Sequence, residues 1–196
     1  MLNEIREIIT SSIMTKQTLL SDEKILSVIN QVADVCVIAL KADKKIFFCG
    51  NGGSAADAQH LAAEFTGRFL LDRDPLYAEA LHVNSSYMTS VINDYSFEEV
   101  YARLVKAKVR QGDVLIGIST SGNSMNIIKA LEQGRSQHAI TVGMTGATGG
   151  KLISNCDFLL NMPSSHTPRI QEAHIMVGHI ICELVEKRIF KNNIID

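Results

Sequence analysis

Apolar residues at the start of the chain recur with the spacing of an α-helix. From about Leu2 to Ala42 they follow one another every three or four positions, with a break near Ser21 and Asp22. Asp22 followed by Glu23 is typical of a helix start. The pattern predicts two amphipathic helices. Their apolar stripes need a covering surface, for which a partner subunit is a candidate.

The rest of the chain alternates short apolar runs with longer helical patterns. The predicted strands are 45–49, 78–83, 113–118, 139–144 and 157–162, and the predicted helices are 54–67, 97–109, 124–134 and 169–190. This alternation predicts an α/β fold, a parallel sheet flanked by helices on both faces. Without a linker or repeat, residues 1–196 are predicted to form one domain, with the helical pair of residues 1–43 at an oligomer interface.

Composition narrows the classes of protein to consider. The chain has 196 residues, a net charge of −2 and no basic run, which argues against a nucleic-acid or anionic-lipid surface. Its start carries acids and no window is apolar enough to span a membrane, so we expect a cytosolic protein. The four cysteines form no Cys-x-x-Cys pair and are expected to be reduced and buried.

The segment 50–54 reads Gly-Asn-Gly-Gly-Ser and follows the first predicted strand. Glycines let the backbone approach a ligand, which binds beyond the carboxyl ends of strands in such sheets. Ser54 is expected to cap the following helix. Together with Ala55 the segment also matches a dinucleotide fingerprint, but the next predicted strand ends in Leu-His-Val-Asn, without an acid for a ribose. A plain tight turn is the remaining alternative.

The segment 118–124 reads Ile-Ser-Thr-Ser-Gly-Asn-Ser and joins a predicted strand to a helix. Four hydroxyls and the backbone N–H groups of a helix start favour an anion, so a phosphate could bind there without a lysine. The Gly-Lys-Ser/Thr of a Walker loop is absent. Ordinary helix capping by Ser and Thr is the alternative interpretation.

Three side chains are candidates for moving protons. His60 and Glu64 share one helix face, although an isolated pair of this kind is often only a surface ion pair. His179 lies in a mostly apolar stretch, where a histidine is often a core residue. Gln171 precedes His179 by eight residues, a rise of about 12 Å and a turn of roughly 80°. To reach one small target, the two side chains would have to stretch from opposite ends or come from different subunits. We therefore predict a homo-oligomer with shared sites.

Taken together, these segments with Asn93-Asp94 and the Arg-Ile-Gln-Glu of 169–172 resemble the bacterial phosphoheptose isomerases, single-domain members of the sugar-isomerase (SIS) family. The resemblance covers nearly the whole chain. It implies a homotetramer that converts sedoheptulose 7-phosphate into D-glycero-D-manno-heptose 7-phosphate, for the heptose of lipopolysaccharide or capsule. Pro168 stands where some relatives carry an acid, which puts a supporting contact near Arg169 in doubt.

The resemblance also implies roles for individual residues. The phosphate would be held by Ser119, Thr120, Ser121 and Ser124. The sugar would be lined by Asn51, Gly52, Gly53, Ser54, Glu64, Asn93, Asp94 and Gln171. The acid–base pair would be Glu64 and His179. A zinc ion, one per subunit, would be bound by His60, Glu64, Gln171 and His179. Because an amide oxygen is a poor zinc ligand, a structural or inhibitory metal is an alternative to a catalytic one.

Two other functions fit the sequence. One is a non-catalytic SIS scaffold that binds the replication initiator, as some tetrameric relatives do; those relatives lack or alter the pair that Glu64 and His179 form here. The other is an isomerase of a different sugar phosphate, such as an amino sugar or a pentose. A pull-down with the initiator tests the first, and a panel of substrates tests the second.

Overall fold

The structure, a computed structural model, describes residues 2–190. Its helices are α1 (Leu2–Leu20), α2 (Glu23–Lys41), α3 (Gly53–Thr66), α4 (Ser85–Asp94), α5 (Val100–Lys108), α6 (Met125–Ser136) and α7 (Thr167–Ile189). Its strands are β1 (Ile46–Gly50), β2 (Ala78–Ala80), β3 (Val114–Ile118), β4 (Ile140–Thr145) and β5 (Phe158–Asn161). Among the helices of this described range, none is long and apolar enough to cross a membrane.

All five strands are parallel and lie in the order β2-β1-β3-β4-β5. The chain order reverses between β1 and β3, whose last residues, Gly50 and Ile118, are paired across the sheet. Every residue of these two strands is buried, as is typical of strands covered on both faces. The predicted parallel sheet is confirmed, and its switch point puts the loops after β1 and β3 side by side.

Side chains from the two faces of the sheet enter two separate cores. Phe48 and Ile116 pack with α2, α3 and α7 on one face. Phe47 and Leu115 pack with α4, α5 and α6 on the other. Neighbouring strand residues therefore point to opposite faces, and the predicted covering of both faces is confirmed.

The N-terminal helical pair is confirmed, and its two members differ in burial. Asp22 begins α2 by accepting hydrogen bonds from the backbone N–H groups of Lys24 (3.1 Å) and Ile25 (3.2 Å). Helix α2 packs on α7, whereas α1 buries only Thr15 and Leu19. Its exposed apolar residues include Leu2, Ile5, Ile8, Ile9, Ile13, Met14 and Leu20, each at least 48% exposed. The described chain leaves this face of α1 uncovered.

The start of α7 holds α1 in place. Arg169, which is buried, donates a hydrogen bond of 2.7 Å to the carbonyl of Ile8 and another to Glu172. Glu172 in turn accepts from the hydroxyl of Ser12 at 2.6 Å. Pro168 lies in the first turn of α7, a position where a missing N–H costs no hydrogen bond. Arg169 thus connects α7 to α1 through its two terminal nitrogens, while its Nε atom is buried without a hydrogen-bond partner among the described residues.

Sequence analysis missed one α-helix and misplaced the ends of two elements. Helix α4 was not predicted because it is only ten residues long and six of them are polar; the side chain of Asn84 caps it. The edge strand β2 ends at Ala80, three residues before its predicted end. The helix predicted from Phe97 begins with a 3₁₀ turn, Phe97–Glu99. The other predicted elements agree with the structure to within two residues.

Candidate active site

The glycine loop, residues 50–53, leads from β1 into α3 at the switch point of the sheet. Gly52 has a φ of 55°, in the left-handed region that favours glycine, and it occupies the cap position of α3. A Cβ on Gly50 would overlap the backbone of Ser54. The helix begins at Gly53, so Ser54 is already inside it and is buried. The prediction that Ser54 caps α3 is wrong, because the cap position lies two residues earlier, at Gly52.

The anion cradle, residues 119–124, leads from β3 into α6 on the opposite face of the sheet. The hydroxyl of Ser119 donates to that of Ser124 at 3.1 Å, and Ser124 makes no side-chain capping bond to α6. In the part of the chain that the structure describes, the backbone N–H groups of Thr120, Ser121 and Ser124 have no protein acceptor. Unpaired N–H groups and hydroxyls at a helix start are typical of a phosphate site.

Residues after β4 pack behind the cradle. The N–H of Gly146 donates to the carbonyl of Thr120 at 2.9 Å, and that of Leu152 donates to Gly122 at 3.1 Å. Gly122 has a φ of 66°, and a Cβ there would overlap the backbone of Gly149. The cradle is therefore held by main-chain contacts from behind, while Ser121 and Asn123 stay exposed at its front.

Three of the predicted proton and metal residues meet in one His–Glu cluster, formed by His60, Glu64 and His179. The Nε2 atom of His60 lies 2.9 Å from Oε1 of Glu64 and 3.4 Å from Nε2 of His179. One ligand atom from each residue lies within 4.8 Å of the other two. The ring of Phe69 packs beside His179 with centroids 5.6 Å apart. Helices α3 and α7 thus bring an acid–base set together within one chain.

Gln171 lies near the start of α7, away from the His–Glu cluster. Its carboxamide fills the space where a Cβ on Gly53 would stand, at the beginning of α3. His179 comes eight residues later on α7, and Glu64 comes eleven residues after Gly53 on α3, a rise of about 16 Å. One chain therefore places Gln171 at the glycine loop and places Glu64 and His179 at the far end of α3.

The remaining predicted sugar contacts lie at the edges of this region. Asn93 and Asp94 are exposed at the end of α4, and the amide of Asn93 donates to the carboxylate of Asp94 at 2.9 Å. Among residues 2–190 neither makes a hydrogen bond to the glycine loop, the anion cradle or the His–Glu cluster. Asn51 instead pairs with Asn126 of α6, a buried residue that sequence analysis did not single out.

Asp57 is a second residue that sequence analysis did not assign to the site, since an acid in the first turn of a helix is expected to interact with the helix dipole. Its Oδ2 atom is buried without a hydrogen-bond partner among the described residues. Burial raises the pKa of this carboxyl, and the nearby His60 lowers it. Asp57, His60 and Glu64 are spaced three and four residues apart, so they share one face of α3. That spacing was the available signal, and it makes Asp57 a candidate for the same chemistry.

The donors of the His–Glu cluster suit a zinc ion. Two imidazole nitrogens and one carboxylate oxygen form a known catalytic zinc set, in which a fourth position stays open for water or substrate. The three ligand atoms are already within 4.8 Å of one another. Since Gln171 lies at the glycine loop, the fit within one chain rests on three ligands.

The chain is similar to known proteins over most of its length. Residues 12–146 match the family model of the SIS domain. A phosphoheptose isomerase of Aneurinibacillus thermoaerophilus is 50% identical over 191 residues, which cover 97% of this chain and 96% of that protein. The solved phosphoheptose isomerase of Neisseria gonorrhoeae superimposes with a TM-score of 0.89 at 40% identity and covers 95% of this chain and 100% of its own. That of Francisella tularensis gives a TM-score of 0.90 at 32% identity, covering 95% and 98%.

The family match extends over more than half of the chain, and the relatives are similar from end to end. The expected SIS fold is confirmed by solved structures that share the whole architecture. This chain belongs to the SIS domain family and, within it, to the phosphoheptose isomerases.

Proposed function

We propose that this enzyme interconverts sedoheptulose 7-phosphate and D-glycero-D-manno-heptose 7-phosphate through an enediol. The observation that carries the proposal is the His–Glu cluster in a chain that is 50% identical to a phosphoheptose isomerase. A carboxylate beside two imidazoles can take up and return protons near neutral pH. The anion cradle supports a phosphorylated substrate, and the glycine loop beside it leaves room for sugar hydroxyls.

In this mechanism Glu64 carries the carbon-bound proton. Its carboxylate takes a proton from C1 of the ketose, and the electron pair of that C–H bond forms the C1–C2 double bond. The C2 carbonyl oxygen gains a proton, which we assign to His179, and the product is the cis-enediol. Glu64 then returns a proton to C2 while the hydroxyl on C1 loses its proton and becomes the aldehyde. Protons and electrons balance without an external oxidant.

Binding roles follow from position in the fold. Ser119, Thr120, Ser121 and Ser124 would hold the phosphate through hydroxyls and backbone N–H groups. Gly52, Gly53, Ser54 and Gln171 would line the sugar at the start of α3. Asn93 and Asp94 would contact the sugar only in a site assembled from more than one subunit. Asn51 would act at the rim of the glycine loop.

Zinc is the proposed cofactor, one ion per subunit. His60, Glu64 and His179 would hold it, with Gln171 as a fourth ligand only where another copy brings that residue near. A bound zinc ion would polarise the carbonyl or the enediol oxygens. In this structure the carboxylate of Glu64 lies beside the imidazole of His60, which in turn lies 3.4 Å from that of His179.

Two observations support a homo-oligomer with shared active sites. Glu64 lies about 16 Å along α3 from the glycine loop, so one chain separates its acid–base set from its anion cradle. The uncovered apolar face of α1 needs a partner. We propose a tetramer in which one copy presents its His–Glu cluster to the cradle of another. The reaction would take place in the cytosol and supply heptose for lipopolysaccharide or capsule.

The test uses heavy water and purified sedoheptulose 7-phosphate, with and without a chelator. The proposal expects the heptose 7-phosphate aldose to appear with deuterium at C2, and deuterium to enter C1 of the recovered ketose. Pentose and amino-sugar phosphates serve as controls for specificity. Absence of any exchange with the seven-carbon substrate, in the presence of added zinc, would overturn the proposal.

A further inference from the structure

The segment after α3 carries a buried ion pair that the proposed reaction does not use. The side chains of Arg73 and Glu186 are 1% and 2% exposed, and Nε of Arg73 lies 2.9 Å from Oε1 of Glu186. A buried ion pair gives up two hydration shells, and apolar residues of similar size often stabilise a fold equally well. Stability alone is therefore a weak explanation for this pair, and its contacts show what else it holds.

Glu186 fixes the backbone of the segment that follows α3. Its two carboxylate oxygens accept hydrogen bonds from the backbone N–H groups of Phe69 (3.3 Å), Leu70 (2.9 Å) and Leu71 (3.1 Å). Burial raises the pKa of this carboxyl. The hydrogen bonds from those N–H groups and from the guanidinium of Arg73 lower it by more, so the net shift of the pKa is downward. Glu186 thus remains an anion that gathers three successive residues of the chain.

Arg73 closes the end of α3. Its guanidinium donates to the carbonyl of Glu64 at 2.9 Å and to that of Phe65 at 2.8 Å. It also reaches the carbonyls of Gly67 and Asp74. The last carbonyls of a helix lack partners within the helix, and here one side chain satisfies several of them. One of those carbonyls is that of Glu64, whose carboxylate is the proposed base.

Two routes connect this pair to the His–Glu cluster. Arg73 holds the main chain of Glu64 directly. Glu186 holds the main chain of Phe69, whose ring lies 5.6 Å from that of His179. Glu186 also follows His179 by seven residues, two helical turns, so both face the end of α3. Each member of the pair therefore supports one of the two proposed proton carriers.

We propose that Arg73 and Glu186 are positioning residues that set the geometry of Glu64 and His179, and this inference rests on the proposed function. A residue that supports a metal ligand from behind typically changes metal affinity by about 10- to 100-fold when it is mutated. A displacement of about 1 Å at a reacting group can cost on the order of 10²-fold in rate. The losses of zinc affinity and of rate should both exceed those caused by a substitution that only destabilises the fold elsewhere.

The first test compares Glu186→Gln with Asp113→Asn. Glutamine keeps the size of Glu186 but turns one acceptor oxygen into a donor, which faces either Arg73 or the N–H groups of Leu70 and Leu71. Asp113 is a matched control because it is also buried and accepts from two backbone N–H groups, those of Lys45 (2.9 Å) and Arg110 (2.7 Å), without touching the cluster. Both variants should unfold at lower denaturant concentration than the parent.

Only Glu186→Gln should lower zinc affinity, by about 10- to 100-fold in competition with a chelator. It should also lower kcat at least tenfold while KM changes less than threefold, because the anion cradle is untouched. Zinc affinity and kcat that match those of Asp113→Asn would overturn the inference. A parent enzyme that binds zinc but does not isomerise the substrate would overturn the proposed function instead. The positioning role would then still be tested by the zinc affinities of Glu186→Gln and Asp113→Asn.

A second pair of variants covers the case in which Glu186→Gln does not fold. Arg73→Lys keeps the charge but loses the planar fork that bridges Glu64, Phe65 and Glu186. Its control is Arg188→Lys, because Arg188 also bonds a carbonyl and a carboxylate, those of Asn30 and Asp34, away from the cluster. Arg73→Lys alone should lose zinc affinity and kcat, and equal behaviour of the two variants would contradict the positioning role.

Discussion

The carboxamides of Asn51 and Asn126 form a reciprocal pair. The amide nitrogen of Asn51 lies 2.9 Å from the oxygen of Asn126, and the amide nitrogen of Asn126 lies 2.8 Å from the oxygen of Asn51. Asn51 belongs to the glycine loop, and Asn126 is in the first turn of α6, directly after the anion cradle. Two hydrogen bonds thus fix the spacing between the two loops that are proposed to hold the sugar and the phosphate.

Asn126→Asp should therefore weaken substrate binding more than it weakens the fold. An aspartate at this buried position loses the donor to Asn51 and places a negative charge behind a cradle built for an anion. We expect KM for the sugar phosphate to rise at least tenfold, measured by steady-state kinetics. Asn155→Asp, outside both loops, is the control and should leave KM unchanged. An unaltered KM in Asn126→Asp would show that the pair does not govern the site.

Glu64→Gln should stop the chemistry and spare the binding of phosphate. Glutamine is similar in size but cannot accept the carbon-bound proton, so solvent deuterium should no longer enter C1 or C2. Binding of the sugar phosphate, followed by calorimetry, should change less than threefold because the substitution leaves the hydroxyls and N–H groups of the anion cradle unchanged. Deuterium exchange that continues at the parental rate would remove Glu64 from this role.

Two inactive variants should complement each other if active sites are shared between copies. One variant carries Glu64→Gln, and the other carries Ser119→Ala and Ser124→Ala in the cradle. After subunit exchange, a mixed site can combine the intact cradle of the first with the intact His–Glu cluster of the second. With random pairing of equal amounts, about one site in four should combine an intact cradle with an intact cluster and be active. Mixtures that stay inactive, despite proven exchange, would place each site within one chain.

Acid should destabilise the fold through His174. This side chain is fully buried on α7, where its Nε2 atom lies 3.1 Å from the carbonyl oxygen of Thr145 and Nδ1 has no partner among the described residues. Burial lowers the pKa of His174 to about 4, although the hydrogen bond to Thr145 raises it. The unfolded chain therefore binds a proton more readily, and stability is lost as the pH falls from the ordinary histidine pKa towards 4.

The expected loss between pH 7 and pH 5 is about 2 kcal/mol from this residue alone. His174→Gln keeps a donor for Thr145 but does not titrate, so its stability should fall less over the same range. Denaturant unfolding at one fixed protein concentration measures both, since assembly contributes to the free energy of unfolding. Glu186, whose pKa is lowered, is common to both proteins and cancels in the comparison. Equal pH slopes for the two proteins would show that His174 is not the sensor.

Much of the fold could be predicted because its signals are local. The helix start at Asp22, the buried run of β3 and the alternation of strands with helices are each visible within a few residues. Helix α4 was missed because it is only ten residues long and six of its side chains are polar. The cap of α3 was misplaced because the φ of Gly52, rather than the hydroxyl of Ser54, determines where that helix begins.

The sequence by itself determined the parallel α/β fold, the glycine loop and the serine-rich loop after two of its strands, and the pairing of His60 with Glu64, because each depends on residues close together in the chain. Only the tertiary structure decided that His179 joins that pair while Gln171 lies against Gly53, since this depends on how α7 packs beside α3. The same is true of the Asn51–Asn126 pair and of the support that Arg73 and Glu186 give to the cluster. Contacts between distant segments follow from packing and topology, which local spacing does not encode.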